Sequence, residues 1–174
     1  MAEGTIERAL AVEPLSARAF APFGDVIEVP GSGGADANEG TAVRFDDVTR
    51  LELDRDGGRA VLSVFRVRPA RLPFVVRTLE RHPLSTQAFF PLGERRFLVI
   101  VAPPGGAAPD PARVRAFLAN GRQGVNYRPG AWHHPVLALD RDTDFMVLGR
   151  TVDGRDCDVA PLAGDILTVA RLPA

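Results

Sequence analysis

The sequence predicts an all-β sandwich or barrel with one or two short helices. The main observation is a succession of short apolar runs rich in Val, Leu and Phe, each divided from the next by turn residues: RAVLSVFRVRPARL, TQAFFPL, RRFLVIVAPP, AWHHPVLAL, TDFMVLGRT and DILTVARL. The second is composition. With 174 residues, 45% hydrophobic and 25% charged, the chain suits one folded domain over residues 1–174 with a sizeable core.

Taken in order, LSARAFAP (15–22) reads as a single helical turn capped by Ser16, and FGDVIEVP then alternates as a strand from Phe23 to Val29. PGSGGADANEG (30–40) is turn-rich and reads as a mobile loop. The six apolar runs follow. One helix is expected between them, in APDPARVRAFLANG: Asp110 is a good N-cap, Pro111 fits the first helical position, Val114, Phe117 and Leu118 share a face, and Gly121 stops it. No internal repeat is visible, and PPGGAAPDPA is the one low-complexity patch, read as a surface loop.

Charge and composition narrow the partners. A formal net charge of −1, with acids interleaved among the arginines, offers no field for nucleic acid or an acidic membrane, so a small-molecule partner is the better default. Every basic side chain is Arg, which removes lysine Schiff-base and lysine general-base chemistry. Cys157 is the sole cysteine, excluding an internal disulfide framework and a Cys-rich zinc site and pointing to a cytoplasmic protein. The N-terminal segment does not read as a signal peptide, and no apolar run is long enough to span a membrane.

The chemistry then rests on polar residues that a barrel would turn inward. In RTLERHPLSTQAFFPLG, Glu80, His82 and Gln87 are spaced by two and five, with Gly93 behind them. Alternate strand residues share a face. This spacing resembles the first motif of cupin barrels, with Glu80 in place of the first histidine, His82 at the second and Gln87 in place of the carboxylate. RPGAWHH resembles the second motif, its Pro129–Gly130 turn leading to His133. Period two sends His133 inward with His82 and His134 to the other side, as a structural imidazole or an interface residue. Trp132 is either a core aromatic or a residue at the mouth of the site; Tyr127 reads as a core aromatic.

The ordered series LSARAFAPFGDVIE, NEGTAVRFDD, RPARLPFVVRTLERHP, LSTQAFFPL, RAFLANGRQGVNYRPGAWHHPVLAL, TDFMVLGR and DCDVAPL resembles the ureidoglycolate lyase family of allantoin breakdown over nearly the whole chain. The resemblance implies a cupin-like double-stranded β-helix (jelly-roll) barrel, usually a homodimer, that splits ureidoglycolate into glyoxylate and urea. On that reading His82 and His133 transfer protons, with Gln87 beside them. Gln87 and Asn126 match the ureido amide, Arg44 and Arg66 supply a bidentate clamp for the carboxylate, and Glu80 and Trp132 complete the binding set. It also implies a divalent metal such as nickel on His82 and His133, or no cofactor at all. A cupin isomerase or hydrolase acting on a small carboxylate, or a non-catalytic cupin that binds one, are the alternatives.

Overall fold

Strands whose two faces are both apolar must be covered twice, and this chain covers them with layers of sheet. A computed structural model describes residues 6–151, 156–162 and 165–173. In chain order the first elements are β1 (Ile6–Ala9), β2 (Val12–Pro14), α1 (Ala17–Phe20), β3 (Gly24–Ile27), β4 (Ala35–Ala37), β5 (Ala42–Arg44) and β6 (Arg59–Val67). Next come β7 (Phe74–Val76), β8 (Thr78–Arg81), β9 (Gln87–Leu92), β10 (Phe97–Ala102), β11 (Arg115–Ala119) and β12 (Gly124–Tyr127). The last are β13 (Trp132–His133), β14 (Leu137–Ala138), β15 (Thr143–Thr151), β16 (Asp158–Pro161) and β17 (Asp165–Val169).

Three main sheets result. A five-stranded sheet runs β3-β12-β9-β15-β6, a larger one runs β16-β8-β13-β10-β11-β2 with β14 attached to β10, and a small one runs β1-β17-β7. Strand β10 shows why they stack. Phe97, Val99 and Val101 join Phe89, Phe117, Val125, Phe145 and Val147 in an inner core between the two large sheets. Leu98, Ile100 and Ala102 face the other way, into a second core with Val76, Trp132, Leu167 and Val169 beneath the small sheet. The all-β, cupin-like expectation holds. Among the described residues no helix is long and apolar enough to cross a membrane.

The Ser16 turn forms as expected, with the Ser16 hydroxyl accepting from the Ala19 amide at 3.4 Å. The helix expected at Asp110–Gly121 does not form. Asp110 does cap, accepting from the Ala112 amide at 2.9 Å, but only a 3-10 turn (Pro111–Arg113) follows before the chain becomes β11. Phe117 and Ala119 enter the inner core while Ala116 and Leu118 enter the outer one. A strand buried on both faces carries the same apolar density as one helical face, and pairing with β10 decides between them.

Residues 30–34 are irregular as expected, but from Ala35 the segment is more ordered than a loop: β4 and β5 pair as a hairpin around the 3-10 turn at Asn38–Gly40. The DILTVARL tail pairs within its own chain as β17, parallel to β1 and antiparallel to β7.

Candidate active site

Strand alternation assembles the site on the inner face. Along β8, Leu79 enters the outer core, Glu80 faces the other way, and His82 follows two residues on. On the neighbouring β13, Trp132 enters the outer core and His133 turns inward, directly opposite Glu80 in the register. Ligating atoms of Glu80, His82 and His133 all lie within 4.8 Å of one another.

Two further residues complete the wall. The Tyr127 ring lies parallel to the His133 imidazole, with centroids 4.1 Å apart and planes 7° apart, and His82 stacks on the same imidazole from 5.6 Å. Gln87 pairs with Tyr127 across β9 and β12 and so shares its face. The polar atoms gathered here are short of partners. Among the described residues His82 Nε2, both ring nitrogens of His133, Gln87 Oε1 and the Tyr127 hydroxyl are buried without a hydrogen bond. A folded chain rarely leaves so many together, and their common explanation is a ligand, an ion or ordered water.

Burial sets the electrostatics. It pulls the His133 imidazole down to about 3, with the neighbouring His82 adding to the effect. His133 is therefore neutral at working pH, and its 3.8 Å approach to Glu80 is not an ion pair. Burial raises the Glu80 carboxyl, against an opposing pull from His82. It also raises the Tyr127 phenol, helped by the charge of Glu80, so that hydroxyl keeps its proton.

His82 is oriented from behind. Its Nδ1 lies 2.5 Å from the Asp156 carbonyl oxygen, an acceptor only, so Nδ1 carries the proton and Nε2 faces the cluster with a free lone pair. Asp156 also ties down the turn after β8: its carboxylate accepts from the Leu84 amide at 3.0 Å and the Ser85 hydroxyl at 2.7 Å. The buried Arg150 guanidinium stands 3.5 Å from that carboxylate. Sequence reasoning missed Asp156 and Tyr127. Asp156 lay in the quoted DCDV segment, and Tyr127 stood at the head of the RPGAWHH turn, but neither shows its role without the pairing of β8, β12 and β13.

The other expected residues lie elsewhere. Asn126 sits between Val125 and Tyr127, both in the inner core, and so points to the outer face, donating to the Thr49 hydroxyl at 2.8 Å and the Arg50 carbonyl at 2.9 Å. Trp132 is fully buried in the outer core, its Nε1 donating to the Gly105 carbonyl at 3.3 Å and the Arg81 guanidinium 4.5 Å over its ring. Arg44 pairs with Asp46 at 3.0 Å on the surface. Arg66 grips Asp144 through two bonds of 2.7 and 2.8 Å, also on the surface. The histidine cluster thus gathers Glu80, His82, Gln87 and His133, and not Arg44, Arg66, Asn126 or Trp132. His134 takes its structural role, packing edge-on against Phe74 at 5.2 Å.

Such a cluster offers a base with a free lone pair, a neutral imidazole, a phenol and an amide oxygen, which suits proton transfer on a small polar molecule. A family model described as ureidoglycolate lyase matches residues 7–168. The chain is similar to a ureidoglycolate lyase of Azotobacter vinelandii, 50% identical over 151 residues that cover 87% of this chain and 90% of the relative. It is 49% identical to one of Pseudomonas entomophila over 87% and 90% of the two chains. A Burkholderia mallei relative of the same name is 48% identical over 86% of each.

Proposed function

Because the chain belongs to the ureidoglycolate lyase family, we propose that it eliminates urea from ureidoglycolate, a carbon–nitrogen lyase reaction, at the cluster of Glu80, His82 and His133. The substrate is a carbinolamine. Its hydroxyl must lose a proton as the carbonyl of glyoxylate forms, the C–N bond breaks, and the departing nitrogen must gain a proton to leave as urea. The observation that carries the assignment is the state of His82: Nδ1 is held by the Asp156 carbonyl and Nε2 is buried, unpaired and turned to the cluster. In our reading His82 Nε2 takes the hydroxyl proton and returns it to the nitrogen, a shuttle between two atoms of one small molecule.

The surrounding groups fit the rest of the substrate. Gln87 Oε1 is an unpaired acceptor for a ureido N–H, and the Tyr127 hydroxyl, kept protonated by burial, is a donor for an oxygen. Neutral His133 gives one donor and one acceptor without adding charge. Arg44 and Arg66 were expected to hold the carboxylate, but in this chain they are surface ion pairs, and we assign them no part in the cluster.

The donor set also fits a divalent cation such as nickel. Two imidazoles and a carboxylate converge within 4.8 Å, and His82 Nε2 and the His133 nitrogens have no partner. Glu80, His82 and His133 would hold it, and it would supply Lewis-acid polarisation of a substrate oxygen. One Nε2 lone pair cannot bind an ion and take a proton at once. Chelation therefore separates the two uses of His82.

We also read the protein as a cytoplasmic homodimer. Strand β6 is the edge of the five-stranded sheet, and Leu62, Val64 and Phe65 are 62%, 64% and 47% exposed along it. A long edge that is apolar on both faces asks to be covered, and a second copy would cover it.

The test is to give metal-stripped protein racemic ureidoglycolate and follow glyoxylate, urea and ammonia, with His82→Ala and His133→Ala alongside. Equimolar glyoxylate and urea without ammonia, lost in both variants, is the expected result. Ammonia in place of urea would make the enzyme a hydrolase, and no glyoxylate above the spontaneous rate, with or without nickel, would end the assignment.

A further inference from the structure

A cleft of about 460 Å³ lies outside the barrel, lined by Asp25, Arg50, Glu52, Arg55, Asn126 and Arg128 among others. Alternation places it on the opposite face of the five-stranded sheet from the histidine cluster, because Asn126 lines it while its neighbours Val125 and Tyr127 belong to the inner core. Most of its charges are already engaged. Asp25 accepts from the Thr49 hydroxyl at 2.7 Å, Glu52 pairs with Arg55, and Arg128 donates to the Ala21 carbonyl. The Arg50 guanidinium has no such partner among the described residues, so the three arginines leave one cation over the two carboxylates.

Asn126 supplies the complementary half. It is 2% exposed, and its amide group is spent on Thr49 and Arg50, yet its Oδ1 has no hydrogen bond. An unmet buried acceptor is costly and calls for a donor. A ligand that satisfies both halves must bring a negative charge to Arg50 and an N–H to Asn126. Acetate has no N–H and urea has no charge. We propose that this cleft is a second binding site, separate from the histidine cluster, for a small carboxylate carrying an N–H donor.

The proposal stands apart from the lyase reading. The experiment is calorimetric titration of the His82→Ala/His133→Ala protein, whose cluster is disabled, with N-carbamoylglycine, acetate and urea. Saturable binding of N-carbamoylglycine, at least tenfold tighter than acetate or urea and weakened about tenfold by adding Arg50→Gln, is the expected result. Should the double variant fold poorly, the wild-type protein is titrated with the same acid while the Asn126 side-chain amide resonances are followed; they are expected to shift in the wild type and to stay fixed in Arg50→Gln. Binding indifferent to Arg50, equal binding of acetate, or no binding at all overturns the proposal. Lyase turnover of the wild type is read separately and is unaffected by either outcome.

Discussion

Replacing Tyr127 with Phe isolates one oxygen atom. The ring is 1% exposed, packed parallel to His133 at 4.1 Å and edge-on to Phe89 at 5.9 Å, and phenylalanine keeps all of that contact. The hydroxyl it removes has no hydrogen bond among the described residues. Burying an unpaired hydroxyl costs about 1–3 kcal/mol, so deleting it should stabilise the ligand-free protein by about 1 kcal/mol. For a chain of this length that corresponds to a rise of about 2–4 °C in Tm. Tyr127→Ala, by contrast, should cost about 3–5 kcal/mol through the cavity it leaves. Urea denaturation of wild type and both variants measures this, with an unchanged slope confirming the same unfolding reaction. Turnover should fall about tenfold or more in Tyr127→Phe even as stability rises, because the hydroxyl then acts on the substrate and not on the fold. A Phe variant less stable than wild type by 1 kcal/mol with turnover unchanged would refute this reasoning, since the hydroxyl would then be bonded within the folded protein.

Three other outcomes follow from the same geometry. His133 is neutral in the fold, its pKa lowered to about 3 against 6.5 when exposed, so the unfolded chain takes up a proton first as pH falls. Metal-free protein should hold this contribution above pH 6.5 and lose about 1.4 kcal/mol per pH unit below it, with His134 acting in the same direction and buried Glu80 opposing; a midpoint independent of pH between 6.5 and 5 would contradict it. Nickel at a hundred times its dissociation constant should raise stability by about 2.7 kcal/mol, seen as a Tm increase that Glu80→Ala or a chelator removes. Val64→Arg on the exposed β6 edge should convert a dimer to monomers in sedimentation, with the monomer still folded; an unchanged mass would place the interface elsewhere.

How far the sequence could be read depended on which periodicity was in play. The strand runs from RAVLSVFRV to DILTV were legible because turn residues delimit them, and Glu80 and His82 were put on one face by period two, and on the inner one by the resemblance to a cupin motif. The helix at Asp110 failed because Val114, Phe117 and Leu118 also suit a strand buried on both faces, a choice made by β10 and not by the segment itself. Asn126 was misplaced for a simpler reason: it adjoins Tyr127 in one strand, so both could not face the histidines. Arg44 and Arg66 were chosen for chemistry that any arginine offers, and only the positions of Asp46 and Asp144 reveal that they are already occupied. Asp156 reaches His82 across 74 positions of chain, a contact no local pattern encodes.

Strand β13 is only two residues long, and its two side chains look in opposite directions, His133 into the histidine cluster and Trp132 into the outer core. Since Trp132 is the chain's one indole, nature has set a fluorophore back to back with the imidazole. Its emission will report on the wall that holds His133 without a label and without touching the reacting groups. A red shift then marks loss of the outer core, and a variant inactive with unshifted emission has lost chemistry while keeping its scaffold.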